Sequence, residues 1–300
     1  TFQVPRWTPQ SPVGQTVLVW REQGIGDDVI FLTCLQDLID AGYQPLVECD
    51  ARMIDLIQRS FPTVKAREAI YRIEYPHDSP YDDFDCHLPM GSLMHYFRPD
   101  LDSFHNKSGA YLEVDLAKKA IWSKELEKIR NGKKLVGITW RGGLTDAVGQ
   151  MKYSKLMDWS PLLSSEEFVF VNLQFGECEQ ELQEVESALG IHIHRWSDLD
   201  LKNDLDDVCA LISCLDDVVT ISSADQSKID AAVKRISDMM RVLVEGDEFD
   251  GTVTRVESYG AVVEYLPGRE GLVHVSEMAT EYVADASEKV AVGDKVHVRV

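Results

Sequence analysis

VVTISSADQSKIDAAVKRI, residues 218–236, decides the fold of this chain because its opening, VVTISSA, can be read into two patterns. Read from its N-terminal side, VVTIS is the last of a series of short apolar strands alternating with helices. Read from its C-terminal side, TISSADQSKIDAAVKRI is a strand and a helix leading into a small all-β region. Outward to the left, Thr16–Trp20, Pro45–Cys49, Asp82–Leu88, Gly109–Val114, Lys134–Trp140, Phe168–Leu173, His192–Arg195 and Asp217–Ile221 are strand candidates. Helix candidates fall between them: Asp27 to about Ala41, Ala51–Ser60, Leu116–Asn131, Tyr153–Leu163, Cys178–Leu189 and Leu205–Leu215. Such β-α alternation predicts doubly wound parallel sheets with right-handed crossovers. Outward to the right, Ile229, Ala232, Val233, Ile236, Met239 and Met240 form an apolar stripe at helical spacing. Asp247–Ser258, Ala261–Tyr265, Gly271–His274 and Lys295–Val300 then follow as short strands parted by glycine turns, the pattern of a small barrel.

Composition narrows the function. The 300 residues allow two or three domains, each able to bury a core. No apolar run approaches the roughly 18 to 20 residues that cross a bilayer, so no membrane segment is expected. The opening TFQVPRWTPQSP has no basic n-region, apolar core or methionine and reads as an internal cut, as does the end KVHVRV. The six cysteines show neither CxxC pairs nor a metal-ligand rhythm with histidine. A reduced, cytoplasmic setting is the expected home, with no metal and no cofactor. A net charge of −21 argues against broad phosphate binding, so any nucleic-acid contact must be local.

Three stretches in order, REQGIGDDVIF (21–31), WRGG (140–143) and LDDVVTISSA (215–224), resemble the heptosyltransferase-like glycosyltransferases, above all the variety found behind tetratricopeptide repeats in bacterial proteins. VPRW (4–7), DCHLPMGSL (85–93) and VNLQFGECEQEL (171–182) support the resemblance, which covers about Val4 to Ala224. It implies two facing Rossmann-like domains and a nucleotide-sugar donor. The family's base, the Asp of its Gly-Asp motif, matches Asp27, and an inverting transfer needs such a base to deprotonate the acceptor. Gly24 and Gly26 would let backbone approach a ligand closely; the plainer reading of Asp27 is a helix cap. Arg141, at a strand end where open α/β sheets bind ligands, and Lys152, where the family often carries a basic residue, are candidates for donor phosphate. After Ser222–Ala224 the family's histidine-bearing helix start and later strands are missing. The donor site therefore lacks its phosphate-binding helix, and catalysis is expected to be absent or severely weakened. Helix 225–240 is expected to occupy the vacant place on the sheet.

From about Val219 to Val300 the chain resembles the C-terminal end of bacterial polynucleotide phosphorylase. TISSADQSKIDAAVKRI matches the last strand and helix of its KH domain, without the GxxG loop that clamps a nucleic-acid backbone. FDGTVTRVESYGAVVEYLPGREGLVHVSEM and KVAVGDKVHVRV match its S-one domain, an RNA-binding OB barrel. The resemblance implies stacking of single-stranded RNA on Tyr259 and beside His274. Tyr265 is a further aromatic candidate, with Arg255, Arg269 and Lys295 for phosphates. Phe249 is assigned to the barrel core. Val262 stands where many members carry a second phenylalanine. From Val244 onward twelve Asp or Glu face five Lys or Arg, which predicts weak, salt-sensitive binding.

The expected fold class is α/β plus all-β. Residues 1–132 form a Rossmann-like domain and 133–224 an incomplete second one. Residues 225–243 are a KH-remnant helix and linker, and 244–300 an OB-fold barrel. Three functional readings follow: weak RNA binding through the barrel with an inactive first half; sugar transfer with Asp27 as base; or a fusion without joint function. The last predicts a truncated sheet edge between Leu215 and Met240 with exposed apolar surface.

Overall fold

The computed structural model describes residues 4–69, 83–104, 109–142, 153–221, 225–241, 243–279 and 283–300. By packing, the chain divides into Thr1–Lys128 with Ser197–Cys214, and Ile129–Trp196 with Leu215–Val300.

The first unit is built on a four-stranded sheet of order β3-β2-β1-β4. Its strands are β1 (Thr16–Trp20), β2 (Gln44–Cys49), β3 (Lys65–Glu68) and β4 (Cys86–Pro89). All pairings are parallel, with Leu18 opposite Leu46 and His87. The strands read as continuous apolar runs because both faces are covered: Val17, Leu18 and Val19 are all fully buried. The expected single helix from Asp27 is broken into α1 (Ile25–Phe31), a 3-10 turn at Leu32–Cys34 and α2 (Leu35–Asp40). The segment 109–114 was expected as a strand and is none. Its partners are side chains and lone carbonyls: the Tyr111 hydroxyl donates to the Val29 carbonyl at 2.5 Å, and the Glu113 N–H donates to Ser60 Oγ at 2.8 Å. The 3-10 turn at Ala51–Met53 leads into α3 (Ile54–Ser60), β4 is followed by α4 (Ser92–Phe97), and α5 (Leu116–Arg130) closes this half.

The second unit holds a sheet of order β7-β6-β5-β8, again wholly parallel. Its strands are β5 (Lys134–Thr139), β6 (Phe168–Asn172), β7 (Ile193–His194) and β8 (Asp217–Thr220). Between them stand α6 (Ser160–Leu163) and α7 (Glu179–Leu189). The next helix, α8 (Leu205–Ile212), was expected in the second domain but packs with the first unit. There Arg59 forms an ion pair with Asp206, and the Trp122 indole N–H donates to Asp207 at 2.8 Å.

Helix α9 (Gln226–Met240) starts at Asp225, whose carboxylate accepts the N–H groups of Ser227 and Lys228. All of the expected stripe except Met239 is packed as the spacing predicts. Ile229, Val233 and Met240 are buried in one core with Val219, Ile221, Trp159 and Leu162, and Ala232 and Ile236 pack against it. Full burial of each such side chain stabilises by about 1.5–3 kcal/mol, as an upper bound. The helix thus shares its core with the second parallel sheet. β8 is an edge of that sheet, and Val218 on it and Met239 on α9 are each 47% exposed. The junction residues Ser222, Ser223 and Ala224 lie outside the described residues.

The remaining strands, β9 (Glu248–Glu257), β10 (Gly260–Leu266), β11 (Arg269–His274) and β12 (Lys295–Arg299), form an antiparallel sheet of order β11-β10-β9-β12. A bulge at Val262/Val263 bends β9 against β10. Val253, Ala261 and Val263 point inward as the core. The fold class is the expected one, α/β plus all-β with an OB-type barrel.

Candidate functional site

In the first unit, β1 ends at Trp20 and the chain turns through Gly24 into α1. Asp27 Oδ2 accepts the Gly24 N–H at 3.2 Å, a one-way cap of the helix start. Neither Gly24 nor Gly26 has a positive φ, and a Cβ on Gly26 would meet nothing within 4 Å. The space over Gly26 is therefore open.

The residue that sequence reasoning missed is the next one. Asp28 is 1% exposed, and Arg21 Nε stands 2.9 Å from its Oδ2. Arg21 also reaches Asp50 at 3.0 Å, and Arg52 grips Asp50 through Nε at 2.7 Å and Nη2 at 3.0 Å. Burial pushes the Asp28 carboxyl up to about 6 against the pull of Arg21, with Asp50 and Asp27 adding to the rise. The Arg52 hydrogen bond holds Asp50 far below the usual carboxylate range. Burial, then Asp28, push the Cys49 thiol up to about 12, so it is no nucleophile at neutral pH. The signal was present: Asp28 lies four residues before Leu32 and seven before Leu35, on the face that a helix buries.

In the second unit, Arg141 follows β5 at the carboxyl end of the sheet. Its N–H donates to Gln174 Oε1 at 2.7 Å, its Nη2 donates to the Glu177 carbonyl at 3.0 Å, and its Nη1 lies 3.4 Å from Glu181. Glu181 is itself held by the Trp140 indole N–H and the Leu156 N–H, both at 2.9 Å, which makes Trp140 a packing residue. A cavity of about 610 Å³ opens beside Arg141 and Lys155, lined also by Glu177, Glu179, Glu181 and Glu184. Four carboxylates against two cations make a poor phosphate cradle. A smaller cavity of about 240 Å³ lies between Thr139, Tyr153 and Thr220, where β5 and β8 diverge. Lys152 lies outside the described residues.

The barrel face is different. Tyr259, in the turn before β10, is 53% exposed, and His274, at the end of β11, pairs in register with Gly260. A Cβ at Gly260 would stand 2.5 Å from the Val273 carbonyl and 3.2 Å from the His274 Cα, so glycine is what lets β10 and β11 approach here. His274 Nδ1 accepts the Ser276 N–H at 3.2 Å, which leaves the proton of the neutral ring on Nε2 as a donor. Arg255, Val262 and Leu272 form the next row across three strands, with Leu272 54% exposed. Lys295 Nζ donates to Thr252 Oγ1 at 2.6 Å on the same sheet. Two candidates lie elsewhere. Tyr265 packs against the buried Phe249 with ring centroids 5.4 Å apart, and Arg269 donates to the Arg241 carbonyl at 2.7 Å. Phe249 belongs to the barrel core, as expected.

This exposed aromatic and imidazole pair on an OB-type sheet coincides with a family match: residues 243–300 fit the model of the S1 RNA binding domain. Polyribonucleotide nucleotidyltransferase of Exiguobacterium sibiricum is 49% identical over 85 residues, 28% of this chain and 12% of that protein. Protein FlbA of Caulobacter vibrioides is 35% identical over 236 residues, 74% of this chain and 39% of that protein. The chain therefore spans well under half the length of either curated relative. The matched shares together slightly exceed the whole chain, so the two stretches overlap. A solved glycosyl transfer family 9 protein of Veillonella parvula is similar over 70% of this chain and 77% of its own, at 9% identity and a TM-score of 0.48. The chain joins an α/β region to a C-terminal stretch that matches the S1 RNA binding domain model. Among the described residues no helix is long and apolar enough to cross a membrane, and no group of three or more His, Cys, Asp or Glu could hold a metal ion.

Proposed function

We propose that this chain binds single-stranded RNA through its C-terminal barrel, weakly and with strong salt dependence, and that the α/β half serves as a scaffold in a cytoplasmic setting. The observation that carries the reading is the half-exposed Tyr259, next in sequence to Gly260, whose register partner on β11 is the exposed His274, within the stretch that matches the S1 model. Aromatic platforms of this kind stack bases without regard to sequence. The net charge of −21 sets the weakness, since long-range repulsion opposes RNA approach. The test is a binding titration of the chain against a short single-stranded RNA at low and moderate salt, with Tyr259→Ala as control. Salt-sensitive binding lost in the control supports the reading, and no binding at low salt removes it.

A second reading is sugar transfer from a nucleotide-sugar with Asp27 as base. Its support is the place of Asp27 just beyond β1, at the sheet edge where open α/β folds bind ligands. Against it stand the use of Asp27 as a cap, the engagement of Arg141 by Glu177 and Glu181, and the carboxylate-lined cavity. Transfer activity abolished by Asp27→Ala would establish it. The third reading, a fusion without joint function, draws on the overlap of the two matched stretches and on the exposed Val218 edge. The packing of α9 into the core counts against a broken junction.

A further inference from the structure

The outward residues of the barrel sheet fall in rows across its strands. Arg255, Val262 and Leu272 make the central row, and two residues along it Glu264 stands directly opposite Glu270. Like charges facing each other across a ladder repel, and the two carboxylates separate. Glu264 Oε1 accepts the Gly268 N–H at 2.9 Å, while Glu270 Oε2 turns toward Arg255 Nη2, 3.8 Å away. Arg255 is on β9 and Glu270 on β11, with β10 between them. Two strand spacings are roughly 10 Å, so the ion pair spans β10 at the middle of the face. Other cations of the barrel are directed elsewhere: Arg269 to the Arg241 carbonyl and Lys295 to Thr252. Arg255 is the cation of the central row.

We propose that the Arg255–Glu270 pair is an internal strap across the RNA face, lying over the β10 row next to Tyr259 and His274 and holding the guanidinium that a phosphate would otherwise take. RNA must displace Glu270 to reach Arg255. This deepens the RNA-binding reading and rests on it. Both side chains are well exposed, Arg255 at 66% and Glu270 at 43%. Exposed ion pairs are weak, so displacement should lower affinity only about two- to five-fold.

The test is fluorescence anisotropy of the full chain with a labelled oligouridylate of about ten nucleotides, within the usual OB-fold footprint. Glu270→Gln should bind about two- to five-fold more tightly. Its log-log salt slope should steepen by about 0.7, the increment of one added phosphate contact on a single strand. The gain should vanish when Arg255→Ala is also present. Unchanged or weaker binding by Glu270→Gln, with Tyr259→Ala still damaging, overturns the strap and leaves the RNA reading standing. An equal gain in the Arg255→Ala background also overturns it, because the effect would then be one of net charge. No binding by the wild-type chain, or binding indifferent to Tyr259→Ala, overturns the RNA reading and the strap together.

Discussion

The turn after β1 and the face of the barrel sheet each present the residues that a binding site needs, yet the two regions spend them differently. At the turn, Asp27 caps Gly24, Asp28 is buried, and Arg21 and Arg52 are drawn onto Asp50. On the barrel, Tyr259 and Leu272 are more than half exposed and, among the described residues, Arg255 is held by one long, solvent-facing ion pair. Polar groups inside a closed α/β core must find partners, because an unpaired buried group costs the full desolvation penalty. On an open sheet face, water satisfies them until a ligand arrives. The difference teaches that a motif residue is a stronger site candidate where the fold has not already used it.

The largest expected effect would break the comparison at its joint. Ile229→Ala, which empties a position buried to 1% in the core shared by α9 and the second sheet, should lower stability by about 2–5 kcal/mol. Urea unfolding followed by tryptophan fluorescence reads it through Trp140 and Trp159. A change under half a kcal/mol would mean that α9 does not hold that sheet.

Asp28→Asn sharpens the claim that the turn is committed to structure. The folded-state pKa is raised to about 6 by burial. Asp28 therefore favours the fold fully below its unfolded pKa near 4 and loses that contribution as pH rises through 6. The variant should match the wild type near pH 4 and exceed it at pH 7 by up to about 2–3 kcal/mol. Parallel denaturation at the two pH values checks this, since carboxylates not coupled to Asp28 cancel in the difference. A variant weakened at pH 7 would show instead that the charged Asp28–Arg21 pair stabilises the turn.

Tyr259→Ala should weaken RNA binding by about 1–3 kcal/mol, the usual worth of one stacked base, with urea unfolding of the chain unchanged. The smallest effect is set by Asp27→Ala. Loss of its cap on Gly24 should cost about 1 kcal/mol of stability and leave RNA affinity untouched. A fall in RNA binding would dissolve the separation of the two regions.

Much of this was legible in residues alone. The apolar runs at Thr16–Trp20 and Lys134–Thr139 announced buried parallel strands, and the stripe from Ile229 to Met240 announced a helix with one covered face. β3 escaped because Lys65–Glu68 is a short, charged edge strand with no periodicity to read. The false strand at 109–114 came from an extended segment whose hydrogen bonds go to Ser60 and Val29 rather than to a ladder. Tyr265 and Arg269 looked like members of the RNA face, but strand alternation and the reach of an arginine settle direction only once register is known.

The sequence by itself determined the classes of element, the change of character within residues 218–236, and the types of residue on offer for binding. Those follow from local periodicity, turn chemistry and charge, which need no partner to be read. Only the tertiary structure decided that α8 packs with the first unit, that Asp28 rather than Asp27 is the buried carboxylate of the turn, and that Arg255 reaches over β10 to Glu270. Each of these joins residues distant in sequence or opposed across a sheet, where burial and register, and not the order of residues, select the partner.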